Sequence, residues 1–89
     1  MQSRNKPKPS AAEQRHIARI AEMDCAVCWH PGPSEVHEPE QGLWWLSIPL
    51  CPDCHRHTIR GWHGQRMAWK ARKMTELVAL NETLRKVLS

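Results

Sequence analysis

Cys25-Ala-Val-Cys28 and Cys51-Pro-Asp-Cys54-His55 contain all four cysteines of the 89-residue chain. Two Cys-x-x-Cys pairs are the spacing with which two knuckles wrap one tetrahedral zinc ion in a closed structural site. Such a site has no open coordination position, so this zinc staples the fold and takes no part in catalysis. The alternatives are two disulfides or two separate redox motifs. Both pairs have knuckle spacing and no stretch reads as a secretory leader, so the expectation is zinc in a reducing, cytoplasmic setting.

The rest of the composition explains why a metal matters. There are five Trp but no Phe or Tyr, and seven Pro. A single domain of this size buries a small share of its surface and leans on a metal or a partner. The longest apolar run, residues 43–50, is broken by Ser47 and Pro49 and falls well short of the roughly 20 residues that span a bilayer. No membrane partner is expected.

Charge is distributed unevenly along the chain. Residues 1–24 carry five Lys or Arg against three acids, net +2. Residues 25–54 carry four acids and no Lys or Arg, net −4, and residues 55–89 carry eight bases against two acids, net +6. Cation chemistry belongs in the acidic, Cys- and His-rich middle, and polyanion contact in the basic flank, although basic helices are often plain solvated faces.

Residues 1–9 are polar, basic and Pro-rich and read as a disordered arm; residues 10–89 read as one domain. Ser10 and Glu13 form a capping-box pattern that opens a helix over 10–23, with Ile17, Ile20 and Ala21 on one face and His16 on the surface. Residues 25–63 form the core: the first knuckle, a turn at 30–34, a strand at 35–37, a second strand at 43–50 joined through 38–42, the second knuckle, and a helical turn over 53–60. Trp29 is expected to cover the zinc, while Trp44 and Trp45 alternate on the second strand. Residues 65–88 contain no Pro or Gly, and Met67, Ala71, Met74, Leu77, Leu84 and Leu88 recur at helical spacing, so a single helix of roughly 36 Å is predicted. Its stripe must meet the N-terminal helix, a second copy of the chain in a homodimer, or another protein. Arg66, Lys70 and Lys73 fall on another face, spaced to follow phosphates.

Five of six histidines lie between residues 30 and 63. His37 ends the first strand, His55 follows Cys54, and His63 sits in Gly61-Trp62-His63-Gly64. Hydrolysis of a phosphodiester needs a base for water and a divalent cation for the developing charge, and histidine serves in either role near neutral pH. Any one of the three alone would be read as an ordinary surface histidine.

Taken together, Cys-x-x-Cys, Ser34-Glu-Val-His37 and Pro49-Leu-Cys-Pro-Asp-Cys-His55 resemble the zinc-stapled HNH (ββα-metal) endonucleases common among phage and prophage proteins. Gly61-Trp62-His63 is similar to the Gly-x-His of the small phage recombination-enhancement nucleases. The resemblance covers residues 25–69. It implies an α+β fold, a zinc-stapled ββα-metal core with a helix added at each end, and a catalytic pair at His37 and Glu38. It further implies that His55 holds a catalytic Mg or Mn ion, with His63 a further ligand of it or a phosphate contact. The family usually places His-His or Asp-His where this chain has His37-Glu38, and a carboxylate is the weaker base. It also places an orienting Asn just before Pro-Leu-Cys, where the nearest candidate here is Ser47.

The expected function is therefore a metal-dependent endonuclease acting on DNA. DNA contacts are expected from Arg56, Arg60, Trp62, Arg66, Lys70 and Lys73, with Trp62 and Trp69 placed to stack on unpaired bases. The alternatives are a non-catalytic zinc module that binds DNA or a host protein partner, such as a recombination or repair protein, and an adaptor whose long C-terminal helix docks on a host factor.

Overall fold

The computed structural model describes residues 7–89, so most of the arm expected over 1–9 lies outside the described residues. Ser10 opens helix α1 (Ala11–Ala21) through a full capping box. Its hydroxyl accepts the Glu13 N–H at 3.1 Å, and the Glu13 carboxylate accepts the Ser10 N–H at 2.7 Å. Two donors that a helix start leaves orphaned are thereby satisfied. The helix buries Ile20 and also His16, which was expected at the surface. His16 is 8% exposed because α1 packs on the turn that carries Trp45, whose ring lies 5.0 Å away.

Strand β1 (Glu35–His37) pairs antiparallel with β2 (Ile48–Leu50), with Glu35 opposite Leu50, Val36 opposite Pro49 and His37 opposite Ile48. The second strand is thus shorter than the 43–50 expected. Trp44–Leu46 form a 3-10 turn instead, closed by the Ser47 hydroxyl, which donates to the Trp44 carbonyl at 2.6 Å. Trp44 Nε1–H donates to the Pro7 carbonyl at 3.2 Å, and Trp45 remains half exposed. Pro49 gives the ladder no N–H, but its carbonyl accepts the Ala26 N–H at 2.9 Å and joins the first knuckle to β2.

Beyond the second knuckle, α2 (Pro52–Arg56) begins with Pro at its first turn, a position where the missing N–H costs nothing. The single long helix over 65–88 does not form. The chain makes α3 (Met67–Ala71) and α4 (Glu76–Leu88) with a break between them. Lys73 takes φ +54, the Lys73 N–H donates to the Lys70 carbonyl at 3.1 Å, and the Met74 N–H donates to the Trp69 carbonyl at 2.8 Å. These two bonds around a left-handed residue are the Schellman stop signal, made here with Lys where Gly is usual. Thr75 then caps α4 by accepting the Val78 N–H at 3.1 Å. Bending lets both halves of the apolar stripe reach the core. Trp69 and Ala79 are buried in it, and Met74 and Leu80 pack against it.

That core is built around the knuckles: Cys25, Val27, Ile48, Leu50, Cys54, Trp69 and Ala79 are all at most 2% exposed. Trp69 Nε1–H donates to the Cys54 carbonyl at 2.7 Å, which pins α3 to the second knuckle. Among the described residues no helix is long and apolar enough to cross a membrane.

Candidate functional site

The two knuckles bring Cys25, Cys28, Cys51 and Cys54 together with sulfur atoms within 4.8 Å of one another. Cys28 Sγ and Cys51 Sγ are 3.6 Å apart, and all four residues are free thiols. Zn–S bonds of about 2.3 Å in a tetrahedron require S···S edges of roughly 3.8 Å. The four cysteines are therefore positioned to hold a metal ion, and the donor set suits zinc. The Cys25 thiol is pushed down to about 4, chiefly by a hydrogen bond from Cys54, whereas Cys51 is pushed up to about 11, chiefly by burial. Cys54 is also pushed up, chiefly by its bond to Cys25. One thiolate forms readily in this cluster and opposes the next, so loss of the remaining thiol protons is tied to entry of a cation. Trp29 was expected to cover the cluster. It stands 57% exposed at φ +62, with the Arg72 guanidinium 5.2 Å from its ring centre.

A second cluster lies where β1, α2 and the segment after α2 meet. His37, His55 and His63 place ligand atoms within 4.8 Å of one another. Their ring centres are 5.2 Å (His37 to His55), 5.3 Å (His37 to His63) and 4.8 Å (His55 to His63) apart. Backbone pairing sets this up: Trp62 N–H donates to the Cys54 carbonyl at 2.9 Å and His63 N–H to the His55 carbonyl at 3.0 Å. Residues 61–63 thus lie directly against α2. Gly61 permits the approach, because a Cβ there would stand 2.5 Å from the His57 backbone nitrogen. The Gly-x-His pattern has a steric meaning here: the glycine lets His63 reach His55.

Carboxylates stand behind two of the three rings. Glu35 Oε1 is 2.8 Å from His55 Nδ1, and Glu76 Oε2 is 2.6 Å from His37 Nε2. Glu35 is also clamped by Arg56, with contacts from Nε to both oxygens at 2.9 and 2.8 Å. Its carboxyl is held below the usual range, first by the Arg56 hydrogen bond and also by His55. His63 titrates below the ordinary histidine range, chiefly through partial burial and then through the neighbouring His55 and His37. That favours the neutral imidazole, the form that binds a metal. A histidine whose far nitrogen is held by a carboxylate is the usual outer-shell arrangement of a metal ligand.

Sequence reasoning missed both carboxylates. Glu35 had a usable signal, since period-two alternation puts Glu35 and His37 on one face of β1. Glu76 had none, being 39 residues from His37 along the chain.

The remaining expected site residues are placed differently. Glu38 is not in the histidine cluster; its Oε1 accepts the Gly42 N–H at 3.1 Å. Ser47, at the position of the expected Asn, is fully buried with its hydroxyl committed to Trp44. Arg56 is engaged by Glu35, and Arg60 NH2 lies 3.4 Å from Asp53 Oδ2. Trp62 is half-buried between the Trp69 ring, 4.7 Å away, and the Arg66 guanidinium, 3.6 Å from its ring centre. Trp69 is 1% exposed and cannot stack on a base. Arg66, Lys70 and Lys73 do not share a helix face. Arg66 precedes α3 at φ +60, Lys70 lies on α3, and Lys73 forms the break.

No protein-family model, curated protein or solved structure matches the chain.

Proposed function

We propose that the chain is a DNA phosphodiesterase of HNH-like ββα-metal type, using a divalent cation held by His37, His55 and His63. One observation carries this reading: three imidazoles converge beside a cysteine-stapled β1–β2–α2 unit, two of them braced by carboxylates. Magnesium strongly prefers oxygen ligands, whereas imidazole suits zinc, cobalt and nickel. The donor set therefore favours these borderline ions over the Mg or Mn expected from the resemblance. A cation bound there supplies neutralisation of charge on the phosphate and the leaving oxygen. The chain supplies the rest. Glu35 holds His55 and Glu76 holds His37, and the downward shift of His63 favours the neutral imidazole that a cation requires. The exposed Lys70, Arg72 and Lys73 supply a basic surface around the end of α3, suited to sequence-independent phosphate contact.

The test is nicking of supercoiled DNA by zinc-loaded protein across Mg, Mn, Co, Ni and Zn. His37→Ala and His55→Ala should abolish nicking while zinc content and DNA affinity persist, because these side chains act on the transition state. A second reading, a non-catalytic zinc module that binds DNA, is favoured by the diversion of Glu38 to Gly42 and of Ser47 to Trp44. Salt-dependent DNA binding without cutting under any ion would leave that module as the better account.

A further inference from the structure

His37 is 3% exposed and the Glu76 side chain 24%, and their 2.6 Å contact joins β1 to the first residue of α4. At this depth water competes little for the bond. The carboxylate is also firmly placed. Thr75 caps the first turn of α4 beside it, and Ala79 and Thr83, three and seven residues on, are buried. The residue that stands where the resemblance would put an orienting Asn, Ser47, has its hydroxyl on a backbone carbonyl. Glu76 Oε2 is thus in hydrogen-bonding contact with Nε2 of the His37 ring.

We infer that Glu76 is the positioning residue of the histidine cluster: by accepting the Nε2–H of His37 it fixes ring rotation and tautomer, leaving Nδ1 as the lone-pair nitrogen. Histidine presents one donor nitrogen and one acceptor nitrogen when neutral, and the partner of the first decides the identity of the second. The cluster is then complete only with α4 docked, since its second carboxylate support comes from a helix that follows the ββα unit in sequence. This rests on the reading of His37 as a member of the cation site, and the readouts below separate the two.

The test compares Glu76→Gln with Glu76→Leu in the full, zinc-loaded chain. Glutamine keeps an acceptor oxygen for Nε2–H, whereas leucine keeps the bulk and removes the acceptor. Ring 15N chemical shifts of His37 should report the Nε2–H tautomer in the wild type and Glu76→Gln, and a mixed population in Glu76→Leu. Affinity for Ni2+ at the second site should fall about 10- to 100-fold in Glu76→Leu, the usual loss when an outer-shell partner is removed. Glu76→Gln should stay much closer to wild type at similar thermal stability. An unchanged tautomer and Ni2+ affinity in Glu76→Leu overturns the inference. So do equal losses in both variants that track a common drop in melting temperature, since those report a structural strut. Wild-type protein that cuts no DNA, yet shows the tautomer change and the affinity loss, keeps Glu76 as a positioning residue and overturns only the phosphodiesterase proposal.

Discussion

Lys73→Gly should stabilise the protein, and the sign of the effect depends on the break between α3 and α4. Lys73 sits at φ +54, where a residue with a Cβ bears a cost of about 1–2 kcal/mol that glycine escapes. Against this, glycine loses more backbone entropy on folding, about 0.5–1 kcal/mol. The net expectation is roughly 0.5–1 kcal/mol in favour of Gly, or about 2–8 °C in melting temperature for a domain of this size. Lys73→Ala is the control, because it removes the same charge and keeps the Cβ. Were residues 65–88 one helix, the comparison would invert, and Ala would exceed Gly by about 1 kcal/mol in a helix interior. Thermal or urea melts of both variants at one fixed zinc concentration decide the matter. Gly less stable than Ala would refute the Schellman break and return the continuous helix.

Three further outcomes follow from the same geometry. Chelation should unfold the protein and elemental analysis should find one tightly held zinc per chain; Cys51→Ser should lose both the metal and the cooperative melt. His16 Nε2 is buried with no hydrogen-bond partner among the described residues, so His16→Leu should raise stability by about 1 kcal/mol in urea denaturation, whereas a loss of that size would mean the ring nitrogen is satisfied in solution. Gly61→Ala should cost about 1–3 kcal/mol and weaken Ni2+ binding at the histidine cluster, because the new Cβ would meet the His57 nitrogen at 2.5 Å; unchanged calorimetric Ni2+ affinity would show that residues 61–63 can lift without moving His63.

The helix start at Ser10, the strand at 35–37, the two knuckles and the turn at α2 were legible because each is specified by neighbours a few residues apart. Caps, Cys-x-x-Cys loops and Pro at a helix start are local devices. The second strand and the C-terminal helix were misjudged for one shared reason. In neither stretch does Gly or Pro mark the actual break: Pro49 lies inside β2, not at its start, and residues 65–88 hold neither residue. In residues 43–50, Ser47 turned its hydroxyl to Trp44 and only Ile48–Leu50 paired. In residues 65–88, Trp69 and Ala79 both had to enter the core around the knuckles. Lysine at a left-handed position carries no sequence signal that a stop is coming.

The sequence by itself determined that four thiols gather in a set positioned to hold one metal ion and that a Gly-x-His must follow the second knuckle closely, because thiol spacing and a missing Cβ act over one or two turns of backbone. Tertiary structure alone decided which side chains flank the three histidines. Glu76 reaches His37 only through the docking of α4, while Arg56, expected to contact DNA, is paired with Glu35. Such pairings are set by the packing of elements far apart in the chain, where burial of apolar area outweighs local preference, and no window of sequence contains both partners.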